Sequence, residues 1–314
     1  MRIFITGISG FIGYHVAKAL HFQGLEVSGL DNFNNYYDPA LKRKRARLLE
    51  DLGIKVIDLD LLSPEMSQVI NQFEPTHLLH LAAQAGVRYS LENPLAYVKS
   101  NIEGFTYILE IVRQCPSISL VYASTSSVYG LNAKLPYSVK ESTDDQASFY
   151  AVTKKSNELM ARNYSHLYGI RATGLRYFTV YGPWGRPDMA LFKFTKSILN
   201  EQPIDLYNYG QMSRDFTYID DIVEGTLAAL KYRGSTPLFN LGNHAPISLL
   251  NFVKVLESTL GKKAICNFLP LQPGEVLATY ADIEESTREL GFYPKTALEE
   301  GVIKFVEWYA KEGT

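Results

Sequence analysis

Short apolar runs alternate with amphipathic stretches through the first half of this chain, and that alternation limits the fold more than any other feature. Strands are expected at Ile3–Thr6, Glu26–Leu30, Lys55–Leu59, His77–Leu81, Leu120–Ala123 and Arg171–Tyr177. Between them fall helical patterns at Gly10–Gln23, Pro39–Asp51, about Asn93–Gln114 and about Ser148–Tyr168, the second of them a basic surface helix. Such alternation builds right-handed strand–helix–strand units and a parallel sheet with helices on both faces. The expected class is therefore α/β, a doubly wound parallel sheet. Ligands of such sheets lie beyond the carboxyl ends of the strands, so chemistry is sought just after each strand. Beyond Tyr177 many prolines cut the chain into short pieces, which reads as a smaller, loop-rich C-terminal lobe.

The bulk numbers exclude several classes. Apolar residues are 46% and charged residues 20% of 314, a globular balance. With 31 Lys and Arg against 33 Asp and Glu, the net charge of -2 offers no footprint for nucleic acid or an anionic membrane. Cys115 and Cys266 have no partnering motif, so neither a metal site nor a disulfide framework is expected, and both suit a reducing compartment. The first apolar run meets Gly7 too soon for a signal peptide, and no apolar run approaches the roughly 18 residues of a membrane span. The cytoplasm is the expected location.

Gly7, Gly10 and Gly13 join the first strand to the first helix. Glycines there permit a tight turn and close approach of a pyrophosphate, while the helix N-terminus supplies N–H groups and positive dipole. The spacing differs from the common Gly-x-Gly-x-x-Gly, so the glycines alone carry little weight. Asp31 ends the second strand, where a carboxylate accepts ribose hydroxyls and repels a 2′-phosphate, favouring NAD over NADP. Asp60, after the third strand, and Leu81-Ala82-Ala83, after the fourth, are further cofactor candidates. Phe11, Ile12, Asn32, Leu61, Gln84 and Tyr177 complete the expected cofactor wall.

Tyr150 and Lys154 are four apart on a helix and so share a face. A tyrosine of pKa about 10 is a poor base at neutral pH. A nearby ammonium favours the phenolate, which can then take a hydroxyl proton while a nicotinamide takes hydride from the same carbon. Thr125, within Ser124-Thr125-Ser126-Ser127, offers a hydroxyl to steady the reacting oxygen, with Ser126 and Ser127 as further donors.

Taken together, the glycine loop, Asp31, Leu81-Ala82-Ala83, Asn101, the hydroxyl run before Val128-Tyr129-Gly130, Tyr150-x-x-x-Lys154 and Arg214-Asp215-Phe216 resemble the extended short-chain dehydrogenase/reductases. The resemblance covers essentially the whole chain. It implies an NAD-binding Rossmann domain over 1–178, rejoined by about 217–244, and a nucleotide-sugar lobe from 179–216 and 245–314. It adds Asn101 to the cofactor set. The segments from Asp31 to Asp38, Ala82 to Ser90 and Thr179 to Ala190 look like those of the UDP-glucuronate 4-epimerases. That likeness implies Thr125 as the catalytic hydroxyl and Thr179 and Arg186 near the sugar carboxylate. It implies Arg214 and Glu275 at the pyrophosphate and uridine ribose, and it leaves Arg88 without an assigned ligand. Glu275 stands where many relatives carry aspartate. A homodimer built on the helices near Asn93–Gln114 and Ser148–Tyr168 is implied as well.

Four other activities compete. A 4,6-dehydratase needs an acid and a base where this chain has Ser126 and Ser127. A decarboxylating UDP-glucuronate enzyme shares the first oxidation. A UDP-glucose/UDP-galactose 4-epimerase needs no partner for a carboxylate. A non-catalytic NAD-binding regulator has no use for Tyr150, Lys154 and Thr125 together.

Overall fold

The computed structural model describes residues 1–131, 134–234 and 237–312. The strands are β1 (Arg2–Thr6), β2 (Glu26–Asp31), β3 (Lys55–Asp58), β4 (His77–His80), β5 (Ser119–Thr125), β6 (Arg171–Tyr177), β7 (Thr179–Tyr181), β8 (Pro203–Leu206), β9 (Ser213–Tyr218), β10 (Leu238–Leu241), β11 (Pro246–Ser248) and β12 (Ile265–Phe268). The helices are α1 (Phe11–Phe22), α2 (Pro39–Asp51), α3 (Met66–Phe73), α4 (Tyr89–Glu92), α5 (Pro94–Tyr97), α6 (Gly104–Gln114), α7 (Phe149–Tyr168), α8 (Ala190–Leu199), α9 (Ile219–Lys231), α10 (Leu249–Leu260), α11 (Glu284–Leu290) and α12 (Leu298–Glu312).

Seven strands form one all-parallel sheet in the order β3-β2-β1-β4-β5-β6-β10. Its central strands β1, β4 and β5 are buried on both faces, as a sheet covered by helices on both sides requires. Along β1, Ile3 and Ile5 join a core with α1 residues Phe11, Val16 and Leu20, whereas Phe4 joins a second core with Phe105 and Ile108 of α6. The chain order reverses between β1 and β4, which opens a crevice at their carboxyl ends. After β6 the chain leaves the sheet, then returns through α9, packed on α1, to add β10 beside β6. The excursion and the C-terminal segment build two small sheets, β11-β9-β7 and β12-β8, above the crevice.

Two expected helices are modified. The pattern around Asn93–Gln114 is not one α-helix: Val98–Glu103 is a π-helical turn between α5 and α6. The wider turn accompanies an inward-facing Asn101, whose amide donates to the Gln84 carbonyl (3.0 Å) and Thr153 Oγ1 (3.0 Å) and whose Oδ1 accepts from Gln84 N (2.9 Å). The basic helix α2 is also not simply a surface helix. Arg45 is fully buried and donates to the carbonyls of Ser9 (3.1 Å), Trp184 (2.6 Å) and Gly185 (3.2 Å), pinning the later loop onto the glycine turn.

Candidate active site

A cleft of about 1190 Å³ runs along the carboxyl ends of β1, β2, β4, β5 and β6 and under the small sheets. All of the candidate residues named from the sequence line it except Asn101, which lies behind the wall and holds the backbone of Gln84.

At one end, the first turn is built by glycine for steric reasons. Gly7 has φ +73°, and a Cβ there would stand 2.8 Å from Ala82 N; at Gly13 a Cβ would stand 2.2 Å from the Gly7 carbonyl oxygen. Gly10 is the N-cap of α1 and offers no side chain to cap it, so the first N–H groups of the helix are left for an anion where Gly10, Phe11 and Ile12 line the cleft. Asp31, buried at the end of β2, accepts from Phe33 N at 2.9 Å. Burial raises its pKa, opposed first by the Lys42 charge. Asn32 donates to Asp60 at 2.8 Å, and Asp60 also accepts from Leu62 N at 3.0 Å, which orders the rim next to Leu61. Missing Cβ atoms at Gly7, Gly10 and Gly13, an uncapped helix start and a carboxylate beside them suit a dinucleotide.

In the middle of the cleft, Thr125 closes β5 and Ser148 caps α7, accepting from Ala151 N at 3.2 Å. That cap orients the first turn of α7, which carries Tyr150 and, one turn on, Lys154. Both are buried, 8% and 1% exposed. Burial raises the Tyr150 pKa, and the Thr125 hydroxyl and the Arg186 charge pull it back. Burial pushes the Lys154 ammonium down to about 8, opposed by Glu158. The Tyr97 ring meets Tyr150 edge-on at 6.1 Å and closes the pocket behind it. Thr125 Oγ1 accepts from Ser127 N (3.2 Å), which fixes the tight turn carrying Ser126 and Ser127. Thr179 of β7 also lines the cleft.

All three arginines expected on the substrate side are already paired. Arg186 gives Asp188 a bidentate bond, Nε–Oδ1 3.0 Å and Nη2–Oδ2 2.5 Å, and Tyr36 donates to the same carboxylate at 3.0 Å. Arg186 thus lines the cleft with most of its charge answered. At the far end Glu275 is shared: Arg88 reaches Oε1 at 3.2 Å and Arg214 reaches Oε2 at 3.0 Å. Arg88 also lies over the Tyr207 ring at 4.3 Å. The protein partner of Arg88 is therefore Glu275, a contact that no local spacing signals. The three residues of Arg214-Asp215-Phe216 divide their work. Arg214 enters the cleft, buried Asp215 accepts from Ala281 N (2.9 Å) and Asn243 N (2.6 Å), and Phe216 stacks on Phe252 at 4.4 Å.

Sequence reasoning missed Tyr36, Asp188, Glu158 and Arg176. Asp188 and Tyr36 lay inside recognised segments, so their carboxyl and phenol groups were visible without their pairing. Glu158 carried one signal, its place four residues after Lys154 on the same helical face.

The description "NAD dependent epimerase/dehydratase family" fits residues 3–242. UDP-glucuronate 4-epimerase 4 of Arabidopsis thaliana is 50% identical over 328 residues, covering 98% of this chain and 75% of that one. Protein CapI of Staphylococcus aureus is 48% identical over 329 residues, covering 98% of each. The crystal structure of UDP-glucuronic acid 4-epimerase from Bacillus cereus, in complex with UDP-glucuronic acid and NAD, superposes with a TM-score of 0.91 at 34% identity, covering 99% of each chain. Among the described residues no helix is long and apolar enough to cross a membrane. With glycine turn, buried tyrosine–lysine pair and sheet order all on one scaffold, the chain belongs to the NAD dependent epimerase/dehydratase family.

Proposed function

We propose that this chain is a UDP-glucuronate 4-epimerase, interconverting UDP-glucuronate and UDP-galacturonate. One observation carries the reading: Tyr150, Lys154 and Thr125 share the cleft that begins at the glycine turn with the neutral hydroxyls of Ser126, Ser127 and Thr179. The relatives named for the same activity, 50% identical over nearly the whole chain, support it.

NAD, when bound, accepts a hydride from C4 and gives one back, so the reaction has no net redox. The chain's residues handle the proton and the geometry. Gly7, Gly10, Phe11, Ile12 and Gly13 hold the pyrophosphate, Asp31 and Asn32 the adenosine ribose, and the walls at Asp60, Leu61, Leu81–Gln84 and Tyr177 enclose the rest. Tyr150 takes the C4 hydroxyl proton, and Thr125 donates to the same oxygen as charge develops. Lys154, one helical turn past Tyr150 on the same face of α7, supplies an ammonium and a donor for ribose. The 4-keto sugar turns over, and Tyr150 returns the proton to the oxygen on the other face. Ser126, Ser127 and Thr179 hold the C6 carboxylate with neutral donors, restraining it from the alignment in which carbon dioxide leaves. Arg214 holds the pyrophosphate of the UDP-sugar, and Glu275 holds the ribose with Arg88 behind it.

The reading divides the chain into an NAD-binding unit, 1–178 rejoined at about 217–244, and a sugar-nucleotide unit from 179–216 and 245–314. Exposed apolar side chains at Leu95, Tyr107, Val152, Leu159 and Leu167 lie on α5, α6 and α7, and they support a homodimer through those helices. Two free thiols, Cys115 and Cys266, suit the cytoplasm. The test is incubation of the purified protein with UDP-glucuronate, with products resolved by sugar NMR. UDP-galacturonate is expected with no added cofactor and no build-up of NADH. Preference for UDP-glucose, or a 4-keto-pentose as main product, overturns the assignment.

A further inference from the structure

Behind the catalytic pair lies a buried carboxylate that the reaction steps above do not use. Glu158 is one helical turn past Lys154, on the same face of α7, with its side chain 4% exposed. Both of its oxygens are engaged. Arg176 of β6 donates from Nε to Oε1 (2.8 Å) and from Nη2 to Oε2 (2.7 Å), and Ser124 Oγ donates to Oε1 at 2.6 Å. Ser124 and Arg176 are register partners across β5 and β6, and each directly precedes a residue of the cleft, Thr125 and Tyr177. The Arg176 guanidinium also lies over the Tyr129 ring at 4.7 Å, at the end of the turn that carries Ser126 and Ser127.

We propose that Glu158 is a positioning residue: its carboxylate ties the strand ends that carry Thr125 and Tyr177 to the helix that carries Tyr150 and Lys154, and is the counter-charge of the Lys154 ammonium. A buried ion pair is a poor source of stability compared with apolar packing. Here it joins three elements whose ends must hold the catalytic groups in one geometry, a use that apolar contact, being non-directional, does not serve.

The groups that face this site come from every packed element. His80 of β4, bonded to Thr6 Oγ1 at 2.8 Å, faces Lys154 and is pushed down to about 3 by burial and by that lysine. Tyr122 and Ser124 come from β5, Tyr129 from the following turn, Arg176 from β6, and Tyr150 from α7 itself. Arg186 and Tyr97 approach Tyr150 from its other side. Of these and Glu158, only Glu158 is a carboxylate. Glu158→Gln therefore raises the net positive charge around Lys154, and Arg176→Met lowers it.

The test follows the Lys154 ammonium by nitrogen NMR of lysine-labelled protein, its resonance identified by loss in Lys154→Met. The Lys154 titration is expected to fall by about one pH unit in Glu158→Gln and to rise in Arg176→Met. Glu158→Asp keeps the charge and retracts it, so the titration stays while kcat falls. Should either single variant fail to fold, the double Glu158→Gln/Arg176→Met replaces the pair together, and its titration is still expected to fall because the Glu158 charge that opposes burial at Lys154 is lost. A folded Glu158→Gln with an unmoved Lys154 titration, or shifts of the same sign in Glu158→Gln and Arg176→Met, overturns the proposal. In parallel, kcat/KM for UDP-glucuronate should lose its high-pH activity earlier in Glu158→Gln at little change in KM. This inference rests on Tyr150 and Lys154 as the reacting pair, but the NMR titration needs no substrate. A protein inactive on UDP-glucuronate sinks the substrate assignment while the titration still decides the role of Glu158.

Discussion

Arg186 and Asp188, two residues apart in one loop, form a bidentate pair within the cleft, and the Arg186 charge reaches Tyr150. Asp188 thus sets how much of that charge the phenol feels. Asp188→Asn leaves Arg186 less answered, which stabilises the phenolate. The pH at which kcat/KM rises should move down by roughly half a unit to one unit. The variant should also lose about 1.5–3 kcal/mol of stability, the worth of a hydrogen bond to a charged group, since the pair is half-buried. A pH–rate profile and a denaturant titration check both; an unmoved acid limb removes Arg186 from the base's environment.

Tyr150→Phe keeps the ring in its pocket against Tyr97 and removes the proton carrier. The rate should fall by about 10²–10⁴, the general-base contribution, while UDP-sugar binding by calorimetry stays near that of the unmodified protein. Near-normal turnover would show that another group takes the proton.

Lys154 predicts the behaviour at high pH. Its ammonium is the useful form, and burial brings its folded-state value down to about 8. The cation is complete well below that pH and is lost as pH rises through it. Activity should therefore decline above about pH 8, and Lys154→Arg, which stays charged, should flatten that decline at a lower maximal rate. Rates measured across that range in constant ionic strength decide it.

Asp31 predicts cofactor choice. Asp31→Ala removes ribose acceptors and the repulsion of a 2′-phosphate. NAD affinity should fall by about ten- to a hundredfold, the worth of a charge-assisted hydrogen bond, while NADP binding improves relative to NAD. Fluorescence titration with both cofactors is the measurement; an unmodified protein that already binds NADP as tightly as NAD contradicts the role.

Much of this was legible in the linear chain because it is set locally. Strand and helix periods repeat every few residues, so the six leading strands and helices α1, α2 and α7 stand out. Glycines at a strand–helix junction and a tyrosine four before a lysine carry their meaning in their spacing. The sequence by itself determined the sheet class and put forward the glycine turn and the Tyr150–Lys154 pair as candidates, which the fold brings into one cleft. Only tertiary structure decided which charges answer one another. Arg88 meets Glu275 across 187 positions, Tyr36 meets Asp188 across 152, and the strands of Ser124 and Arg176 converge on Glu158. It also broke the expected helix at Val98–Glu103 and sank Arg45 of the basic helix into the core. The reason is physical: helix and strand periods are local, whereas a buried charge or amide must find its partner wherever packing brings one, and spacing along the chain carries no record of that.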